Sequence, residues 1–219
     1  MKIPFIDIHT HHPVNSEEII SVESVFLQDI DFKKEIMTPF SAAVHPWHAA
    51  KFDSGEVSRL LDKLIRQPNL IAIGETGLDS VCHEDYRRQQ EIFELHLKFA
   101  EKLNKPLIIH AVKSWNDLTR YLKKVKTPCI LHGYSEGLVL TRQLTAIGCY
   151  FSLGKSVLRS TPRIREAIEY IPVESLFLES DDSQESISAI YREVSAIVGC
   201  PLDSLKNQVY SNFRALFYG

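Results

Sequence analysis

Eight short apolar segments alternate with longer amphipathic segments along this chain, and the alternation limits the folds that it can adopt. The apolar segments are rich in Ile, Val, Leu or Phe and have the length of buried strands: Ile3–Ile8, Ser24–Leu27, Phe40–Val44, Leu70–Gly74, Leu107–Ile109, Cys129–Leu131, Cys149–Leu153 and Leu176–Leu178. Strands that alternate with helices form parallel sheets, because each helix returns the chain to the start of the next strand. Eight such strand-and-helix units in 219 residues therefore predict an α/β fold, a compact (β/α)8 TIM barrel.

Seven segments have the apolar spacing of helices: Ser54–Arg66, His83–Leu103, Ser114–Val125, Glu136–Ala146, Pro162–Ile168, Ser183–Val198 and Leu202–Phe217. The first two units are abbreviated, since Asn15–Ile20 and Phe32–Ile36 leave room for a turn or two of helix. We find no linker or low-complexity segment and predict one domain over residues 1–219. A doubly wound open sheet is the structural alternative, but it would not gather side chains from five strands around one point.

Imidazole and carboxylate side chains stand at the carboxyl ends of five predicted strands, where a barrel carries its catalytic groups. In chain order they are His9, His11, Glu75, His110, His132 and Asp181. Four imidazoles and two carboxylates delivered to one barrel mouth can bind two divalent ions, so the pattern predicts a metal-dependent hydrolase.

The metal interpretation of these residues has to be weighed against simpler explanations. His9 and His11 are two residues apart and share one strand face, but a pair of buried histidines can instead be held by hydrogen bonds. Glu75 follows an apolar strand, where its charge needs a metal or a basic partner, and the following Thr76–Asp79 segment offers no basic residue. Asp181 lies among other carboxylates, whose mutual repulsion favours a cation. We expect Asp181 to orient or deprotonate the attacking water.

Other polar residues near the strand ends are candidates for substrate contacts. His45 follows the third strand and is expected on the rim, within reach of a substrate oxygen. Lys113 is a candidate phosphate contact, and Tyr134 a candidate stacking surface for a base. A solvated lysine and a core-packed tyrosine are the alternatives. His96 lies in a predicted polar helix and is expected at the surface or behind the ligands.

Charge and cysteine usage limit the mode of binding and the compartment. A net charge of -3 argues against coating nucleic acid through bulk charge, although metal ions and a few local basic groups can hold a phosphate. The four cysteines are far apart and predict reduced thiols in a cytoplasmic protein. The sequence has neither a leader pattern nor a membrane span, and nothing in it indicates an obligate protein partner.

The ordered set of motifs resembles the TatD family of metal-dependent hydrolases, within the amidohydrolase-like barrels. The matching segments cover nearly the whole chain: Asp7–His11, Val44–Pro46, Gly74–Asp79, Pro106–His110, His132–Gly137, Gly148–Ser152, Glu179–Asp181 and Asn212–Phe217. The resemblance implies that one metal is bound by His9, His11 and Asp181, the other by His110 and His132, and both by Glu75. It also implies phosphodiester hydrolysis, as in a DNase.

Two departures from the family pattern concern the substrate rim. Val112 stands where the family usually has Arg two residues past the fifth-strand histidine, which removes a phosphate contact. After Asp181 the usual Pro and a longer loop are missing, because the chain continues from Asp182 and Ser183 into a predicted helix. The predicted metal centre is therefore complete, whereas the rim that would select nucleic acid is trimmed.

The preferred hypothesis is in-line hydrolysis of a phosphodiester, in DNA or in another small phosphodiester substrate, by a hydroxide held between two divalent ions. Asp181 and Glu75 are the predicted catalytic residues. The imidazole-rich ligand set favours Zn, Mn or Fe, and Mg can support activity at an exchangeable position. One alternative is a two-metal hydrolase of a small ester, lactone or amide. A second is a non-catalytic binding protein that retains the barrel.

Overall fold

The computed structural model describes residues 3–14, 16–83 and 85–219, and its eight strands form one sheet in the order β1 to β8. The strands are β1 (Phe5–Thr10), β2 (Ile19–Phe26), β3 (Phe40–Ala43), β4 (Leu70–Asp79), β5 (Leu107–Val112), β6 (Cys129–Leu131), β7 (Tyr150–Leu153) and β8 (Leu176–Leu178). The pairs β1/β2, β3/β4, β4/β5, β6/β7 and β7/β8 are parallel.

Seven α-helices occupy the connections after β3 and at the end of the described chain: α1 (Ser54–Leu64), α2 (Tyr86–Leu103), α3 (Trp115–Leu122), α4 (Leu138–Ala146), α5 (Pro162–Tyr170), α6 (Ile187–Val198) and α7 (Leu202–Tyr218). This strand and helix order confirms the predicted (β/α)8 fold class. The described residues between β1 and β2 contain no helix, and a single 3-10 turn, Leu27–Asp29, follows β2. Strand β2 begins at Ile19, five residues before its predicted start at Ser24, because the β-branched Ile19 and Ile20 favour a strand.

Side-chain caps define where several helices begin and end. Asp53 precedes α1 and accepts a hydrogen bond from the Glu56 backbone N–H at 2.7 Å, and Ser186 caps α6 in the same way. Helix α2 begins after Asp85, whose carboxylate accepts two backbone N–H groups. Helices α2 and α6 end at Asn104 and Gly199, both in the left-handed conformation that stops a helix.

The chain divides into two compact units, and the first consists of Met1–Glu23 and Ile130–Gly219. Within this unit β1 meets β8, because the His11 N–H donates to the Asp181 carbonyl and the Asp181 N–H donates to the His9 carbonyl, both at 3.0 Å. The fully buried Tyr191 of α6 fastens this helix to β1 through hydrogen bonds between its hydroxyl and the backbone of Ile6. These contacts fix the end of β1 beside the segment that follows β8.

The second unit is Ser24–Cys129, and it contains the long strand β4. All ten residues of β4 are buried, and the strand continues five residues past its predicted end at Gly74, so Glu75 lies inside the strand. Gly77 allows this continuation, because a Cβ at this position would lie 2.0 Å from the His110 carbonyl oxygen of β5. The prediction of one domain over residues 1–219 stays a prediction.

Helix α2 buries His96, which rules out the predicted position at the surface and leaves the alternative prediction, a position behind the ligands. Its Nε2 accepts the Val44 backbone N–H at 3.2 Å, so the ring proton is on Nδ1, which lies 2.8 Å from the Thr76 hydroxyl oxygen. The reason is helical periodicity, since His96 shares the buried face of α2 with Ile92 and Phe93. Burial lowers the pKa of His96 to about 3.

Acid should therefore destabilise the fold through His96. The unfolded chain takes up a proton below the ordinary pKa of 6.5, whereas the buried ring stays neutral until about pH 3, so stability is lost as the pH falls below 6.5. At pH 5 this penalty is about 2 kcal/mol. We expect urea titrations at pH 7.5 and 5 to show a loss about 2 kcal/mol smaller for His96→Gln than for the parent protein. The exposed His83→Gln variant should behave like the parent, and equal losses in all three proteins would contradict the prediction.

Two further observations concern the length of the helices and the state of the cysteines. In the part of the chain that the structure describes, no helix combines the length and the apolar character needed to cross a membrane. The four cysteines are all free thiols, with Cys129 and Cys149 buried. Burial raises the pKa of the Cys149 thiol to about 12, so this side chain is an unreactive thiol of the core.

Candidate metal centre

The first cluster of candidate ligands lies in the first unit, where β1 meets the segment after β8. His9 and His11 are two residues apart and share one face of the chain. Asp181 faces both rings: its Oδ1 lies 3.7 Å from Nε2 of His9 and 3.9 Å from Nε2 of His11. The backbone hydrogen bonds between β1 and Asp181 set these distances, so the carboxylate is placed by the closure of β1 on β8.

The geometry of this cluster fits one divalent ion. Donor atoms bound tetrahedrally at about 2.0–2.2 Å from an ion lie about 3.4 Å from each other. One donor atom each from His9, His11 and Asp181 lies within 4.8 Å of the others, so small side-chain movements would complete the coordination. Asp181 is 28% exposed, which leaves its carboxylate accessible to water and to a substrate.

The residue before Asp181 is held by a second carboxylate that the sequence analysis did not single out. Asp7 is buried on β1, and its two oxygens accept the backbone N–H of Ser180 at 2.9 Å and its hydroxyl at 2.6 Å. Burial raises the pKa of Asp7 to about 6, against the opposing effect of these hydrogen bonds. Asp181 itself has a φ of 55°, in the left-handed region that Asp tolerates better than most residues. The sequence contained a signal for this role of Asp7, because residues 7, 9 and 11 alternate along the chain and therefore point to the same side as the two histidines.

His132 also belongs to the first unit and lies beside His9, with 4.5 Å between the ring centroids. Its Nδ1 is 3.3 Å from Oε1 of Glu179, and the same oxygen accepts the Gly133 backbone N–H at 2.7 Å. Glu179, one of the carboxylates that flank Asp181 in the sequence, is fully buried. The strand end turns Glu179 inward, toward the loop after β6.

The second cluster lies in the second unit and is centred on Glu75. Its Oε1 is 2.7 Å from Nδ1 of His110 and 3.1 Å from Nε2 of His45. The other ring nitrogen of His45 accepts the Trp47 backbone N–H, so the His45 proton lies on Nε2, facing the carboxylate. His45 is therefore buried against Glu75. Its predicted contact with substrate would require an open position on the rim, so the structure does not support that prediction.

Asp79 extends this cluster on the far side of His110. Its Oδ2 lies 3.4 Å from Nε2 of His110 and accepts a 2.8 Å hydrogen bond from the Trp47 indole N–H. Burial raises the pKa of Asp79, but the hydrogen bonds from Trp47, from the backbone of Val81 and Cys82 and from His110 hold it below the ordinary value. Each ring nitrogen of His110 thus faces a carboxylate, one of Glu75 and one of Asp79.

Two predicted substrate contacts lie outside these clusters. Lys113 is exposed directly after β5, with its backbone in the left-handed conformation, and remains a candidate phosphate contact. Tyr134 is only 3% exposed, its hydroxyl hydrogen bonds the Thr141 hydroxyl, and its ring packs on Phe151. This placement corrects the prediction that Tyr134 stacks on a base, because the ring belongs to the core.

Sequence comparison associates the chain with hydrolases. The family model of TatD-related DNases matches residues 24–218. YcfH of Escherichia coli K12, named an uncharacterized metal-dependent hydrolase, is 30% identical over 197 residues, which cover 82% of this chain and 73% of YcfH. A second relative, MJ1582 of Methanocaldococcus jannaschii, carries the same description and is 24% identical over 203 residues, covering 87% of this chain and 80% of the relative.

Solved structures of other proteins share the fold of this chain. The crystal structure of the TatD homologue YjjV of Escherichia coli K12 superposes with a TM-score of 0.85 at 21% identity, with both chains fully covered. An uncharacterized amidohydrolase of Saccharomyces cerevisiae superposes with a TM-score of 0.80 at 12% identity, covering 98% of this chain and 100% of that one. At these identities the likeness concerns the fold alone.

Proposed function

Because the chain belongs to the family of TatD-related DNases and is a metal-dependent hydrolase of that family, we propose that it cleaves phosphodiester bonds of DNA with two divalent ions. The family membership agrees with the resemblance predicted from the motifs. The observation that carries the proposal is the convergence of His9 and His11 on the Asp181 carboxylate, at the contact between β1 and β8. A structural ion pair would not need two imidazoles on one carboxylate.

The two clusters, together with His132, supply the donors that such ions require. We assign one ion to His9, His11 and Asp181 and the other to His110 and His132. Glu75 takes the role that the family resemblance gives it, a ligand of both ions. Imidazole and carboxylate donors favour Zn, Mn or Fe, and Mg remains compatible with an exchangeable position.

The bound ions would lower the pKa of a water and neutralise charge on the phosphate. The chain supplies the rest of the chemistry. Asp181 is partly exposed and accepts the proton of the attacking water through its carboxylate. His45 donates its Nε2 proton to Glu75 and keeps this carboxylate oriented. Lys113, exposed after β5, contacts a phosphate oxygen of the substrate.

A second candidate function is hydrolysis of a small ester, lactone or amide by the same centre. Two observations favour it: Val112 replaces the Arg of the family pattern, and Tyr134 lies in the core, where it offers no surface to a base. A substrate without a long phosphate backbone would need fewer contacts on the rim. A non-catalytic binding protein is the third possibility.

A substrate panel separates these functions. The protein is stripped of metal, reconstituted with Zn²⁺ or Mn²⁺, and incubated with end-labelled single- and double-stranded oligonucleotides beside carboxyl-ester and lactone substrates. We expect cleavage of oligonucleotides, loss of cleavage with chelator, and recovery on adding the metal back.

Each other outcome selects a different function. Turnover of esters or lactones with intact oligonucleotides would replace the phosphodiesterase proposal with the second candidate. A folded, metal-loaded protein that turns over no substrate of the panel would favour the binding protein.

A further inference from the structure

Glu179 is a fully buried carboxylate that has no role in the proposed mechanism. Within the described ranges 3–14, 16–83 and 85–219, neither Lys nor Arg lies within ion-pair distance of its oxygens, and His132 is the imidazole beside it. An isolated carboxylate is costly to remove from water unless hydrogen bonds or a positive charge compensate it. The neighbours of Glu179 should therefore explain why the side chain is buried.

The hydrogen bonds of Glu179 define the proton position on His132. Its Oε1 accepts the Gly133 backbone N–H at 2.7 Å and lies 3.3 Å from Nδ1 of His132. An ionised carboxylate can only accept, so the favourable arrangement places the imidazole proton on Nδ1. In the neutral ring the lone pair is then on Nε2, at the side of the ring away from Glu179.

Two glycines shape the space around this carboxylate. A Cβ at Gly154 would lie 3.3 Å from both Cγ and Oε1 of Glu179, tighter than an ordinary contact. Gly133, with φ of 58°, turns its N–H toward the same oxygen. In the described part of the chain, the second oxygen of Glu179, Oε2, is buried without a hydrogen-bond partner. The hydrogen bonds of Oε1 and the packing around the side chain therefore hold Glu179 in place.

We propose that Glu179 is a positioning residue that holds His132 in the Nδ1–H tautomer and so presents Nε2 to a divalent ion. Carboxylates behind metal-binding imidazoles fix the tautomer and orient the ring. The assignment of His132 as a ligand rests on the proposed function, whereas the bond between Glu179 and His132 is a property of the metal-free protein. The two parts can be tested separately.

The first readout is the tautomer of His132 in metal-free protein labelled with ¹⁵N-histidine. Long-range ¹H–¹⁵N correlations distinguish a ring protonated at Nδ1 from one protonated at Nε2, and His132→Gln assigns the signals. We expect the Nδ1–H tautomer in the parent and its loss in Glu179→Leu. Glu179→Gln should retain it in part, because the Gly133 N–H keeps the amide oxygen where Oε1 was. Glu174→Gln, the same change at an exposed site before β8, should leave the tautomer unchanged.

The second readout is the affinity for Zn²⁺ alone, measured by competition with a chromophoric chelator. We expect Glu179→Leu to weaken binding at one of two sites by about 10- to 100-fold, with a smaller loss in Glu179→Gln and none in Glu174→Gln. Thermal unfolding establishes that each variant is folded.

The parent spectrum decides the proposal even if Glu179→Leu fails to fold, because an Nε2–H ring in the parent would overturn it. A folded Glu179→Leu protein that keeps the parent tautomer and Zn²⁺ affinity would also overturn it and leave Glu179 a purely structural role. If the parent has the Nδ1–H tautomer but binds no Zn²⁺, the proposed metal centre fails and the ligand role of His132 fails with it.

Discussion

Asp181→Asn should reduce kcat for a phosphodiester by about 10²- to 10⁴-fold, the usual contribution of a positioned acid or base. The amide cannot accept the proton of the attacking water, and it replaces an anionic metal ligand with a neutral one. The fold should persist, since the backbone hydrogen bonds that join Asp181 to His9 and His11 do not involve its side chain.

Asp182→Asn is a matched control for this change. Asp182 is the next residue, carries the same side chain, and is exposed in an ion pair with Lys155. We expect this variant to keep kcat within about fivefold of the parent, because a surface ion pair contributes at most about 1 kcal/mol. Both variants can be assayed with a chromogenic aryl phosphodiester at saturating metal. Equal activity of Asp181→Asn and the parent would remove Asp181 from the mechanism.

Glu75→Gln should lower both metal content and turnover. Glu75 is proposed as a ligand of both ions, and each bound ion contributes several kcal/mol of transition-state stabilisation. We therefore expect fewer than two bound ions per chain and a rate at least about 10²-fold lower. The loss of metal should be the primary effect, because the amide can still hydrogen bond to His45 and His110.

Elemental analysis after dialysis against a weak chelator measures the bound metal, and the same phosphodiester assay measures the rate. Glu91→Gln provides the control, since Glu91 lies on the solvent side of α2 and pairs with Arg87 and Arg88. This variant should match the parent in both measurements. A Glu75→Gln protein that retains two ions and full activity would show that Glu75 is not a shared ligand.

The sequence was sufficient for those parts of the structure that depend on local patterns. Alternation of short apolar runs with amphipathic helices predicted the fold class, because a buried parallel strand has a characteristic length and composition. The spacing of His9 and His11 placed both imidazoles on one face, which the structure brings to Asp181. The strand-end position of Glu75 and His110 likewise predicted side chains that lie in one cluster.

Contacts between segments that are distant in the sequence could not be predicted from local patterns. Nothing local to Glu179 distinguishes a solvent-facing carboxylate from one buried behind His132, 47 positions away in the chain. Asp79 looked like part of a loop because β4 was expected to end at Gly74, and the extra strand residues pair with β5. The sequence left two positions open for His96, at the surface or behind the ligands, because the polar composition of α2 masks its buried helical face.

Diffraction from crystals soaked in Zn²⁺, recorded at the zinc absorption edge, would locate the bound ions and identify their ligands. We expect two anomalous peaks, one at about 2.0–2.2 Å from donor atoms of His9, His11 and Asp181, and the other at similar distances from His110 and His132. Glu75 should be bonded to both ions. A map in which no ion contacts these six residues would contradict the account.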